Sequence, residues 1–180
     1  MDSSNDASVG STATTLVKTN KVIFLDIDGV LVTTRSFVAN RGKRLFDCTA
    51  AAMLRRVCEK GVSIVISSTW RFRADLTGKS DCPTDNQLHD NLASEGLLPY
   101  LHSDWKTVDL HRACVDKIRG DEIAEWLSRH PEVTHYAIID DDVDMTLEQK
   151  QGHFVRTDAM NGFMYEHYKS LVEILEVDLL

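Results

Sequence analysis

Three stretches of this chain are apolar almost without interruption: Lys21 to Val32 (KVIFLDIDGVLV), Gly61 to Arg71 (GVSIVISSTWR) and His135 to Met145 (HYAIIDDDVDM). None alternates apolar with polar, so each reads as a strand buried on both faces, the pattern of a parallel sheet covered by helices. Helical spacing appears between and after them. Ala51 to Glu59 (AAMLRRVCE) and Gln87 to Ser94 read as sheet-packing helices. A helix beginning near Gly120 carries the Ile123, Trp126, Leu127 stripe. A last one, from about Met164 to Val177, sets Tyr168, Leu171, Val172 and Leu175 on one side. Two shorter runs, Leu97 to Leu101 and His153 to Arg156, complete the strands. The expected fold is therefore α/β: a doubly wound, mainly parallel five-stranded sheet with helices on both faces. Its strands lie near Val22–Asp26, Ser63–Ser67, Leu97–Leu101, Thr134–Asp140 and His153–Arg156, joined by right-handed crossovers.

The polar ends of the three long runs carry the candidate chemistry. In open α/β sheets ligands bind at the carboxyl ends of strands, and there the first run delivers Asp26 and Asp28 into a turn at Gly29. Asp-Gly is ordinary turn chemistry, yet a plain turn has no use for two acids at the end of a wholly apolar strand. The second run ends in Ser67, Ser68 and Thr69. These hydroxyls suit either a helix N-cap or a phosphoryl oxygen, and a helix N-terminus favours phosphate as well. The third ends in Asp140, Asp141 and Asp142, with Asp144 close behind. Acids that dense repel one another unless a cation lies among them.

An apolar strand ending in Asp-x-Asp-Gly-Val, another ending in Ser, and a third ending in Asp-Asp, in that chain order, resemble the motifs of the haloacid dehalogenase (HAD) superfamily of aspartate-nucleophile phosphohydrolases. The resemblance spans roughly Lys21 to Thr157. It implies a magnesium-dependent phosphatase acting through an aspartyl-phosphate, with Asp26 as nucleophile, Asp28 as acid and base, and Ser67 on the phosphoryl group. The metal falls to Asp26, Asp28 and Asp140, with Asp141 or Asp144 as partner. The cation of the third motif is Lys117 or Arg119. Lys117 matches the usual residue type, whereas Arg119 is nearer the helix and is capable of a bidentate contact. Gly29, Ser68, Trp70 and Arg71 complete the set expected at the substrate. SSTWR, RGDEIAEWL and FVRTDAMNGF further resemble a capless HAD branch related to RNA-repair proteins.

Composition fits this picture. The chain has 180 residues, of which 43% are hydrophobic, enough for one core. Residues 1–20, rich in Ser, Thr, Asp and Asn, are expected to be a disordered tail, and 21–180 a single catalytic domain. The start lacks the basic and apolar blocks of a signal peptide, and no apolar run approaches membrane length, so an intracellular, cytoplasmic enzyme is expected. Cys48, Cys58, Cys82 and Cys114 lack metal-ligand spacing and read as reduced thiols. The net charge of −8 disfavours general attachment to nucleic acid or anionic membranes. Arg35, Arg41, Lys43, Arg44, Arg71 and Arg73 nevertheless follow the first two motifs and would rim the site.

Neither insertion point used by HAD cap domains holds a large segment. The open site that results would admit a nucleic-acid end or a phosphoprotein as readily as a metabolite. A receiver module places its hydroxyl and lysine after all its acids, and the order here excludes it. A catalytically weak HAD-fold binding protein is the alternative class, from which hydrolysis of an aryl phosphate with magnesium would separate an enzyme.

Overall fold

The computed structural model describes residues 20–110 and 114–178. The expected tail at 1–20 thus lies, but for Asn20, outside the described residues. Five parallel strands, β1 (Lys21–Leu25), β2 (Val62–Ile66), β3 (Leu101–Lys106), β4 (His135–Asp140) and β5 (Phe154–Arg156), form one sheet in the order β3-β2-β1-β4-β5. β1 lies at the centre, in register with β2 from Lys21↔Val62 to Leu25↔Ile66 and with β4 from Lys21↔His135 to Leu25↔Ile139.

The uninterrupted apolar runs are explained by the two layers they serve. Ile23, Leu25, Ile64, Ile66, Ala137 and Ile139 point to one face, where Leu54, Leu88, Leu92 and Leu171 cover them. Val22, Phe24, Val65 and Ile138 point to the other, against Ile123 and Trp126. Phe24 meets Trp126 edge to face at 5.3 Å between ring centroids, and burying such a ring contributes about 2 kcal/mol.

Helices α1 (Thr34–Ala39), α2 (Cys48–Cys58), α3 (Pro83–Ser94), α4 (Arg119–Arg129), α5 (Leu147–Lys150) and α6 (Tyr165–Ile174) supply those layers. α2 begins where the Asp47 carboxylate accepts the Thr49 and Ala50 amides at 2.9 and 3.0 Å. α4 begins where the Asp121 carboxylate accepts the Ile118 amide at 3.2 Å. α6 stops at Ile174, short of the expected Val177, because the backbone turns left-handed at Glu176 (φ 48°).

One strand is displaced from its expected place. Of the apolar run Leu97 to Leu101 only the last residue pairs: Leu97 is buried, and Leu98–Tyr100 forms a 3₁₀ turn around Pro99, which has no N–H to give a ladder. The strand is instead Leu101–Lys106, LHSDWK, at the sheet edge, pairing with β2 at Ile64↔Leu101 and Ile66↔Lys106 with a bulge between. No helix of the described residues is long and apolar enough to cross a membrane.

Candidate active site

The carboxyl ends of β1, β2 and β4 meet at the middle of the sheet. Asp26 follows β1, held there by its amide, which donates to Ile139 O at 3.0 Å. The chain then turns sharply: the amides of Leu31 and Val32 both donate to Ile27 O at 2.9 Å, and Gly29 sits at φ 72°. A side chain at Gly29 would be strained in that conformation and would collide with the Asp141 carboxylate. The turn is further pinned by Thr157, whose hydroxyl donates to Gly29 O at 2.9 Å. Nothing in a lone Thr after a short strand signals such a contact, so Thr157 does not stand out in the sequence.

Asp26, Asp140 and Asp141 bring one carboxylate oxygen each within 4.8 Å of the others. Asp26 and Asp140 are buried. Burial pushes the Asp140 carboxyl up to about 7, with the Asp26 charge adding to it and Arg119 opposing. Asp26 is raised chiefly by burial, against the pull of Arg119 and a Ser68 hydrogen bond, and Asp141 is raised by burial too. Asp140 Oδ2 and Asp144 Oδ1 are buried and accept no hydrogen bond.

Arg119, the first residue of α4, reaches into this cluster. Its Nη1 is 2.7 Å from Asp26 Oδ1, 3.1 Å from Asp140 Oδ2 and 2.8 Å from Ser67 O. Burial disfavours its charge, but Asp140 and Asp26 more than offset this, and its pKa stands above the ordinary value. Asp144 holds the backbone from which it springs: Arg119 N donates to Asp144 Oδ2 at 3.3 Å and Gly120 N to Asp144 O at 3.1 Å. Lys117 lies apart, with its Nζ 3.6 Å from Asp121 and about half its side chain exposed. It shares a cavity of about 230 Å³ with Arg119, Thr69 and Asp144.

The remaining expected residues divide. Ser68 is buried, with its hydroxyl bonded to Asp26, whereas Ser67 is buried with its hydroxyl unpartnered and its backbone carbonyl accepting from Arg119. Trp70 Nε1 donates to Asp28 Oδ2 at 3.0 Å, and Arg44 pairs with Asp28 Oδ1. Arg71, expected at the substrate, is turned inward. Its Nε donates to Thr107 O, its Nη1 to Ser67 O and Ser68 O, and its Nη2 to Val108 O and Glu122 Oε2. All five donors of a guanidinium are thereby spent, and none is left for a ligand. Asp142 is exposed, its amide donating to Asp140 Oδ1 at 2.9 Å.

The donor set fits a hard divalent cation. It is all oxygen, it includes a buried carboxylate oxygen, Asp140 Oδ2, that Arg119 approaches at 3.1 Å without a hydrogen bond, and the three carboxylates, once ionised, exceed the one guanidinium by two negative charges. The arrangement combines a buried carboxylate able to act as a nucleophile, Asp26, a second acid two residues on, Asp28, and a guanidinium able to bind an anion, Arg119.

A family model described as the HAD domain in Swiss Army Knife RNA repair proteins matches residues 22–168. No curated protein and no solved structure matches the chain.

Proposed function

The chain belongs to the HAD family, in the branch named for Swiss Army Knife RNA repair proteins, and from that premise we propose a magnesium-dependent hydrolase of phosphate monoesters that works through an aspartyl-phosphate. Membership makes it a phosphatase-type hydrolase; the metal, the intermediate and the roles of the residues are the proposal. The observation that carries them is the convergence of Asp26, Asp140 and Asp141 on Arg119 where β1 and β4 end.

Asp26 attacks phosphorus in line, forming an O–P bond as the bond to the leaving oxygen breaks. Asp28, immediately before Gly29, gives that oxygen a proton. It then takes a proton from water, which attacks the same phosphorus, releases inorganic phosphate and restores Asp26. Ser67 or Ser68 and Arg119 bind the phosphoryl oxygens, with Lys117 at the rim. Asp26, the Asp28 carbonyl, Asp140 and Asp141 would hold magnesium, whose charge lets a carboxylate approach an anionic phosphate.

The branch is one of RNA repair, and this favours a nucleic-acid end over a phosphoprotein or metabolite as the substrate. An intracellular, cytoplasmic setting belongs to the same reading, and the free cysteines suit a reducing compartment. The test is hydrolysis of an aryl phosphate. Turnover should vanish in chelator and return with magnesium, and Asp26→Asn should lose it while its circular dichroism and melting temperature stay native-like. Full turnover in chelator, or near-parental turnover by Asp26→Asn, would overturn the mechanism.

A further inference from the structure

The side on which the leaving group departs is marked by Asp28. An acid that protonates the leaving oxygen must face it, and the Asp28 carboxylate, gripped by Arg44 and by Trp70 Nε1 at 3.0 Å, opens into a cavity of about 220 Å³. Thr69, Arg73, Thr84 and Gln87 form its other walls. Arg44, Thr84 and Gln87 are also walls of a second hollow, of about 510 Å³, that runs on past Lys43 and the start of α3. The larger hollow falls within the range that accepts small organic ligands. Together they make a groove leading away from the acid centre on the side where the leaving group emerges.

Its chemistry is specific. Arg44 lies over the Trp70 ring, 4.8 Å from its centroid, and Phe46 lies 6.2 Å from the same ring on a tilted plane. A guanidinium stacked on an indole is a surface on which nucleobases settle, and it tolerates any base. Arg73 and Lys43 are exposed beside it. Asp90, which also lines the larger hollow, is 3.0 Å from His89 Nδ1. A molecule with a net charge of −8 repels polyanions at long range, so attraction of a charged leaving group is confined to a local run of cations such as this one.

We propose that the groove binds the leaving strand of a single-stranded nucleic acid, with the next phosphate along the strand at Arg73 and Arg44 and the terminal base against the Arg44–Trp70 pair. The proposal rests on the phosphatase reading and narrows its substrate: the leaving group itself carries a phosphodiester. Acidic phosphopeptides would meet the cations but have no use for the stacked pair.

The experiment uses the full chain with magnesium. Its substrates are an aryl phosphate, a phosphoserine peptide, and RNA and DNA from mononucleotide to tetranucleotide phosphorylated at either end. Catalytic efficiency should rise about tenfold or more from mononucleotide to dinucleotide, as a charge-assisted contact is gained, and the rise should shrink with added salt. Arg73→Ala should lower the ratio of oligonucleotide to aryl phosphate efficiency by a similar factor, and Arg73→Lys should restore part of it. Equal efficiency at all lengths, an unchanged ratio in Arg73→Ala, or preference for the phosphopeptide would overturn the groove while leaving the phosphatase standing. If even the aryl phosphate is not hydrolysed, the phosphatase reading fails. The groove is then judged by anisotropy of a labelled, end-phosphorylated tetranucleotide, whose affinity for Asp26→Asn protein must fall when Arg73→Ala is added.

Discussion

The choice between Lys117 and Arg119 turns on where each side chain ends, which two positions so close in the chain do not reveal. Residue type favoured lysine. The geometry puts the guanidinium of Arg119 between Asp26 and Asp140 and leaves Lys117 near Asp121 at the rim. Arg119→Ala should therefore lower turnover of an aryl phosphate by roughly a hundredfold or more, as loss of a group aimed at developing negative charge does. Lys117→Ala should change it several-fold at most. Steady-state rates decide this, and the reverse order would move the third motif to Lys117. At this scale the sequence was most readable where backbone and chemistry coincide, as in Asp26, Asp28 and Gly29 at the end of an apolar strand. It was least readable for long side chains. Arg44 and Arg71 both looked like rim cations, yet one pairs with Asp28 across 16 positions and the other points inward, and periodicity carries no information on where a guanidinium lands.

Among the elements, the inward turn of Arg71 ties α4 to the ends of the paired strands β2 and β3. The residue lies in the short 3₁₀ turn after β2, and it binds carbonyls at the end of β2, carbonyls just past β3, and Glu122 on α4 at 2.6 Å. Glu122 in turn accepts the Leu110 amide at 3.0 Å. Arg71→Ala strands a buried carboxylate and several carbonyls together, and should cost about 3–5 kcal/mol. Glu122→Gln keeps a hydrogen-bonding partner and should cost less. Urea titrations with unchanged slope would give this order, and a cost below that of an ordinary surface substitution would show the pair to be dispensable. β1, β2 and β4 were readable because burial on both faces leaves an unmistakable apolar run. β3 was misplaced because an edge strand with a half-exposed face reads LHSDWK, whereas of the apolar residues just before it Leu97 is buried in the core and Leu98 and Tyr100 pack against it from a turn. The six residues of α1 and four of α5 are too short for a helical period to register.

For the molecule as a whole, Cys58 reports the integrity of the core. It is buried at the end of α2, and burial pushes its thiol up to about 12, helped by the Glu59 charge. Below that pH it stays protonated and shielded, and the thiolate is the reactive form. An alkylating reagent at pH near 8 should label exposed Cys48, Cys82 and Cys114 promptly. Cys58 should be labelled only at the rate of global opening, rising with denaturant as the unfolding curve does. Mass spectrometry of timed samples would show it, and prompt labelling of Cys58 would mean that α2 opens on its own. The central place of β1 has a consequence for synthesis. β2 and β3 lie on one side of it and β4 and β5 on the other, and Arg119 comes 93 residues after the aspartate it faces. A growing chain thus exposes Asp26 to solvent long before its partners exist. Until β4 slots in beside β1 the crowding of carboxylates does not arise, and by the proposed mechanism neither does the chemistry, so an unfinished product should be silent rather than indiscriminately active.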